Sequence, residues 1–287
     1  MATHAIPEGF VIVGGGRVGL ALEEMAAGKA VLVKRGEPVA GPPGPIIIAT
    51  RNDDLQAIVD ATPADRKSDL VFIQNGMLQP WLDKVGLGDN TQVLVYFAVA
   101  KKGEKPTDGK TDVNPEGLTA ANGKHAQAMA DLLASGGLSC KVLDKADYSK
   151  SMLEKLIWIS ALMLVGAKHK VTVGEVESKH TEEVSTLITE MTAAGRAELI
   201  THTHTQVSAL ITEMAAAGSA ELGITLDDGV VARLLAYARS VAHFPTAVKE
   251  FPWRNGWFHA ISAAKIASGA ADPMPRHTAL LKEVGAM

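Results

Sequence analysis

The chain has a single cysteine, Cys140, in 287 residues. One thiol cannot build an intramolecular disulfide framework, and a thiolate zinc site would need several thiols or a set of converging histidines. An excess of charge of either sign is also lacking: 28 Lys and Arg face 32 Asp and Glu, for a net charge of −4. With no polybasic tail or patch, neither nucleic acid nor an anionic membrane is an expected partner. Long hydrophobic runs are missing too. The longest, Leu156 to Ala167, contains Ser160 and falls short of the ~18 apolar residues that a bilayer span requires. It reads as a buried core helix. The opening MATHAIPEGF has neither the basic flank and apolar stretch of a signal peptide nor the Arg and Ser richness of a transit peptide. A reducing compartment is therefore expected, either cytoplasmic or an organelle stroma or matrix after loss of a targeting segment. No Gly-x-Ser-x-Gly elbow occurs, so serine-hydrolase chemistry has no local support.

What is present divides in two, as a chain of this length predicts at roughly 150 residues per domain. From Phe10 to about Leu143, short β-rich runs alternate with helical lengths: FVIVGGG, AVLVKR, PIIIATR, DLVFIQNG and VLVYFAV. Strands separated by helices predict a doubly wound parallel sheet. The Pro/Gly stretch EPVAGPPGP (37–45) reads as a loop, and the segment 122–136 as the last helix of this half, stopped by Gly136 and Gly137. Beyond Asp147 strand signals give way to helical windows, starting with 151–168, where apolar residues recur every 3.6 positions. The expected domains are thus 1–146 and 147–287, the second all-helical.

The second half also carries a near-verbatim duplication. VSTLITEMTAAGRAEL (184–199) returns as VSALITEMAAAGSAEL (207–222), with 13 of 16 positions identical at an offset of 23. Two short copies do not make a solenoid. On one straight helix the offset would turn the second apolar stripe by roughly 140° from the first, so the two stripes could not share a core. The expectation is that one copy fills a helix position of the fold and the other is an insertion or faces a partner. The intervening THTHT holds His202 and His204. With His180 upstream they are either a metal pair or solvated side chains. The acidic pairs Asp53-Asp54 and Asp227-Asp228 read as a helix start and a loop.

The clearest chemical signal is VIVGGGRVG, which places Gly14, Gly16 and Gly19 in a G-x-G-x-x-G arrangement between a strand and a helix that includes Arg17 and Val18. Such glycines permit a tight turn, backbone approach to a pyrophosphate and close helix packing, while the helix N-terminus holds the anion. At the end of the next strand, where an NAD site would place a carboxylate, stand Lys34 and Arg35. Cations there suit a 2′-phosphate, so NADP is the expected cofactor. Arg51 after IIIAT either reaches the same phosphate or sits at a solvated strand end.

With the glycine loop, Lys34 and Arg35, the FIQNGM segment (72–77) and Glu154-Lys155-Leu156 on the first long helix of the second half, the sequence resembles the ketopantoate reductase family. The resemblance implies a Rossmann domain for NADPH followed by a helical domain of the 6-phosphogluconate dehydrogenase type. It also implies hydride transfer to the keto carbon of a 2-oxo acid, with Lys155 as general acid or alkoxide stabiliser and Asn75, beside Gly76, orienting the substrate next to the nicotinamide. A homodimer is implied as well. Three departures stand out. Ile159 and Met163 occupy the places of two family asparagines, with Ser160 the nearest polar group. In FPTAVKEFPWRNGWF (244–258), Thr246 and Glu250 stand for the family serine and acid. Trp257 or Phe258 falls where a substrate-binding glutamate belongs. Thr246, Trp253, Arg254 and Asn255 are therefore either a pocket for a different acidic carbonyl compound or aromatic anchors of the core. A nucleotide-binding protein without catalysis is the competing reading.

Overall fold

The computed structural model describes residues 9–180 and 206–287. The chain divides into two compact units, Met1–Ser151 and Met152–Met287.

The first unit is built on a seven-stranded sheet of order β2-β1-β3-β4-β5-β6-β7. Strands β1 (Phe10–Val13), β2 (Ala30–Val33), β3 (Ile46–Ile48), β4 (Leu70–Phe72) and β5 (Thr91–Leu94) are parallel. The near-continuous Ile, Val, Leu and Phe content of β1, β3 and β4 is what burial on both faces demands, whereas the edge strand β2 exposes Val31. The parallel pattern ends at β6 (Ala120–Asn122), which runs antiparallel to β5, and β7 (Lys141–Val142) pairs parallel to β6. The expected helix over 122–136 is correspondingly shorter, because Asn122 belongs to β6 and helix α4 covers Ala126–Ser135. Gly136 ends α4 at a point where a Cβ would lie 2.6 Å from Met25 Cγ.

One face of the sheet is covered by α1 (Arg17–Met25) and α4, whose Leu22, Met129, Leu132 and Leu133 are buried with Ile12, Ile47, Val71 and Val93. Each such fully buried side chain contributes about 1.5–3 kcal/mol. Helices α2 (Leu55–Ala61) and α3 (Gln79–Lys84) complete the crossovers, and no helix separates β2 from β3. Asp53 and Asp54 lie in the 3₁₀ turn Asn52–Asp54 that leads into α2.

The second unit is helical. Helix α5 (Lys145–His169), inside which the division falls, is followed by α6 (Val173–Lys179), α7 (Gln206–Leu222), α8 (Val230–Ser240), α9 (Asn255–Ala267) and α10 (Pro275–Glu283). From Leu153 to Val165 α5 buries residues all round, including Leu156, Ile157, Trp158, Leu162 and Leu164. Such a central helix has no solvent stripe. Thr172 and Glu175 close α6 with a reciprocal capping box. The turn before α8 is held by Arg233, whose Nη1 donates to the Asp228 carbonyl at 2.6 Å and Nη2 to that of Asp227 at 3.1 Å. The second repeat copy, 207–222, forms α7. The first copy, with His202 and His204, lies outside the described residues.

No helix among the described residues is long and apolar enough to cross a membrane. No cluster of His, Cys, Asp or Glu among them could hold a metal, and His180 stacks on His169 with ring centroids 3.8 Å apart.

Candidate functional site

In the first unit, parallel pairing brings the C-terminal ends of β1, β2, β3 and β4 to one edge, where strand order reverses about β1 and β3. Ligands of open α/β sheets bind at such switch points. Three glycines there have different reasons to be glycine. Gly14 takes φ +115°, and a Cβ would meet the Ala49 carbonyl oxygen at 2.8 Å. At Gly19 a Cβ would lie 1.8 Å from the Gly14 carbonyl oxygen, so its absence lets α1 pack against the turn. Gly16, the N-cap of α1, has nothing nearer its Cβ position than the Ala49 oxygen at 3.9 Å. The protein itself makes no demand there, and the open space lies where a phosphate would approach the first-turn N–H groups of a helix with no side-chain cap and no acid in its first turn. These residues fit a dinucleotide.

The neighbouring strand ends are tied to this loop. Arg17 Nη1 donates to the Ala100 carbonyl at 2.7 Å. Lys34 and Arg35 are exposed beyond β2, where the Glu37 carboxylate accepts from the Lys34 amide at 2.6 Å and Arg35 lies 3.9 Å from Asp54. Arg51 is exposed at the start of the turn after β3. Two further residues brace this edge, Asn52, which the sequence did not single out, and Gln74 of the FIQNGM segment. Buried Asn52 donates to the Asn75 carbonyl at 3.1 Å, and Gln74 donates to the Ile48 carbonyl at 2.7 Å. The half-buried Asn75 side chain precedes Gly76, which takes φ +114°. An Asn at a strand end carries both donors and acceptors, which was the only sequence signal for Asn52.

In the second unit Lys155 is 6% exposed on α5. Burial pushes its ammonium from the usual 10.5 down to about 7, and the Arg254 charge acts in the same direction. Ile159, one helical turn along on the same face, is itself buried and offers no polar group. The adjacent Glu154 forms a two-pronged ion pair with Arg233. Arg254 is also buried and pairs through Nη2 with Glu250, four residues back, while its buried Nε has no hydrogen-bond partner among the described residues.

The other residues of this segment are placed differently. Asn255 is 1% exposed, and its Oδ1 lies 2.9 Å from Nε2 of the buried His277. Phe258 is fully buried and meets His277 edge-on, and Trp257 meets Phe258 in the same way. Trp253 is half-buried in the turn ahead of α9. Thr246 hydrogen-bonds to the Val171 carbonyl and packs where a Cβ on Gly166 would lie, so that glycine makes room for it. It also lines a cavity of about 960 Å³ whose walls include Lys170, Thr172, Phe251 and Glu283 but neither Lys155 nor Arg254.

No family model matches the chain, and no curated protein matches it. Its likeness is to solved structures. A ketopantoate reductase of the PanE/ApbA family from Ralstonia eutropha JMP134 is 17% identical, with 96% of this chain and 99% of that chain covered and a TM-score of 0.61. A dimeric ketopantoate reductase from Staphylococcus aureus is 14% identical over 96% of this chain and 97% of that one, with a TM-score of 0.63. A D-mandelate dehydrogenase solved with NADH and anilino(oxo)acetate is 16% identical over 96% and 97%, with a TM-score of 0.61. The chain has the fold of the ketopantoate reductases, a Rossmann unit followed by a helical one, at a sequence identity far below that of close relatives.

Proposed function

We propose that the protein reduces a 2-oxo acid to the 2-hydroxy acid with NADPH. The observation that carries this reading is Lys155, a lysine buried in an apolar helix with its pKa brought down to about 7. A buried ammonium is costly to maintain, and a proton donor matched to neutral pH is what general acid catalysis requires.

When bound, the cofactor supplies the hydride to the keto carbon. Gly14, Gly16, Gly19 and the amides of Arg17 and Val18 hold its pyrophosphate. Lys34 and Arg35, with Arg51, neutralise the 2′-phosphate. Asn75 and Gly76 border the nicotinamide, and Asn75 orients the substrate. Lys155 Nζ gives a proton to the carbonyl oxygen as negative charge develops on it, so C=O, hydride and proton become CH–OH. Arg254 takes the substrate carboxylate, for which its Nε–H has no competing acceptor among the described residues. Trp253 borders the substrate. Thr246 and Asn255, bonded to Val171 and His277, shape the surrounding segment. The assembly proposed is a homodimer, as named for the Staphylococcus aureus protein.

The places of the family asparagines and glutamate are taken here by Ile159, Met163 and Trp257 or Phe258, and this favours a substrate other than ketopantoate. The panel therefore includes ketopantoate and aliphatic and aromatic 2-oxo acids, the last because a D-mandelate dehydrogenase shares the fold. NADPH oxidation with at least one of them is expected, with turnover lost in Lys155→Ala and partly kept in Lys155→Arg. Turnover unchanged in Lys155→Ala overturns the mechanism. Tight NADPH binding with no turnover of any carbonyl compound supports the second reading, a nucleotide-binding sensor, which the same replacements favour. Replacing both Lys34 and Arg35 by Ala should weaken NADPH binding at least tenfold and leave NADH binding little changed.

A further inference from the structure

Helix α7 fills a slot with three requirements. Leu210, Ile211, Met214 and Ala217 are buried in it. Gly218 sits where a Cβ would lie 2.7 Å from Leu153 Cδ1 and 3.4 Å from the Phe258 ring, so a larger residue would have to displace the buried Leu153 side chain. Glu213 reaches the start of α10, where Arg276 donates its backbone N–H to the carboxylate at 3.2 Å and places its guanidinium 3.6 Å away. Displaced by 23 positions, the first repeat copy offers Leu187, Ile188, Glu190, Met191, Ala194 and Gly195 in the same order. Every requirement is met twice in the sequence. The three positions at which the copies differ correspond to Ala209, Ala215 and Ser219 of α7, none of them buried.

We propose that the segment 184–199 is an alternative occupant of the α7 slot, so that the chain can seat either copy. Chain connectivity allows it. With the second copy seated, 26 residues (180–205) precede the helix and 7 (223–229) follow it. With the first copy seated these connections become 3 (180–182) and 30 (200–229), by the same shift of 23. Short helix–helix links of this size are common, and the entropy of closing a longer loop grows only logarithmically. The two Thr and the Arg of the first copy fall at positions that are only half-buried in α7, where long side chains can turn their polar ends to water. One straight helix cannot present both stripes to one core, so seating one copy releases the other.

The proposal is tested in the full-length protein by placing an aspartate at the buried methionine of each copy. Met214→Asp alone should leave a cooperatively folded protein with the parent's far-UV circular dichroism, and its melting temperature should fall by no more than a few degrees. Met191→Asp alone should change neither, while the double variant should lose the cooperative transition of the helical unit. Two excisions, of 184–206 and of 200–222, each leave one copy with a 3-residue link (180–182) before it and the native 7-residue link (223–229) after it, and should both fold. A Met214→Asp protein as damaged as the double variant, or an unfolded 200–222 excision beside a folded 184–206 excision, overturns the proposal.

Discussion

Lys155 is costly to the fold and useful to the chemistry. Its charge is expensive to bury, yet below pH 7 the folded protein keeps it. Because the folded pKa of about 7 lies below the ordinary 10.5, the unfolded chain binds more protons between those values. Stability therefore rises as pH increases from about 7 to 10.5. Replacing Lys155 by Met should stabilise the protein by about 1–4 kcal/mol, most at or below pH 7 and least near pH 10.5, while abolishing reduction. Thermal melts across pH check the first half and NADPH oxidation the second. The acid itself should show in rate: kcat/KM for reduction should fall as pH rises through about 7, and the reverse oxidation should rise over the same range. The fall should vanish from the residual activity of Lys155→Arg, whose guanidinium does not titrate there.

At the scale of the element, the glycine loop separates what the fold needs from what a ligand needs. Gly19→Ala would force a methyl group onto the Gly14 carbonyl oxygen, 1.8 Å from the Cβ position, and should cost more than about 3 kcal/mol of stability. Gly16→Ala meets nothing within 3.5 Å and keeps a φ of −77° that alanine adopts freely, so its melting temperature should stay within a degree or two. Its NADPH dissociation constant should nevertheless rise at least tenfold, because the methyl group enters the phosphate's space. A Gly16→Ala protein that binds NADPH like the parent would remove the pyrophosphate from this turn. The elements themselves were legible to different degrees. β1, β3 and β4 are runs of Ile, Val and Phe buried on both faces, so composition alone marks them. β6 is Ala-Ala-Asn, without strand propensity, and β7 is only Lys-Val, too short to mark a strand; each is defined by the neighbour that pairs with it. At the site, the strand-end residues follow from the strand pattern. The pairing of Arg254 with Glu250 rests on a turn and helix start that no local signal fixed, and the depressed pKa of Lys155 depends on tertiary burial that a sequence does not display.

At the scale of the whole chain, the two units carry buried ionisable groups that fail at different acidities. In the helical unit His277 is fully buried; burial and the neighbouring His259 lower its pKa to about 4 against the partial opposition of Asp272. A histidine held neutral in the folded state adds stability that is complete above about 6.5 and is lost as pH falls toward 4. In the Rossmann unit burial alone would raise the Asp69 carboxyl, but hydrogen bonds from Lys124 at 2.7 Å, Arg66 at 2.8 Å and His125 at 3.1 Å outweigh it and hold the pKa at about 2. Its contribution is present above about 4 and is lost only as pH falls toward 2. Acid should accordingly open the chain in two steps, the helical unit first between about pH 6 and 4, the Rossmann unit below pH 4. Hydrogen exchange read by mass spectrometry along a pH series, corrected for the intrinsic exchange rate, resolves the two: peptides of α9 and α10 should lose protection before those of β1, β3 and β4. His277→Gln should remove the first step's pH dependence, since an amide can keep the bond to Asn255 without titrating. Asp69→Asn should lower the stability of the Rossmann unit at pH 7 by about 1–3 kcal/mol and flatten the second step. If both regions opened together in the parent and in both variants, the acid response would lie in groups other than these two.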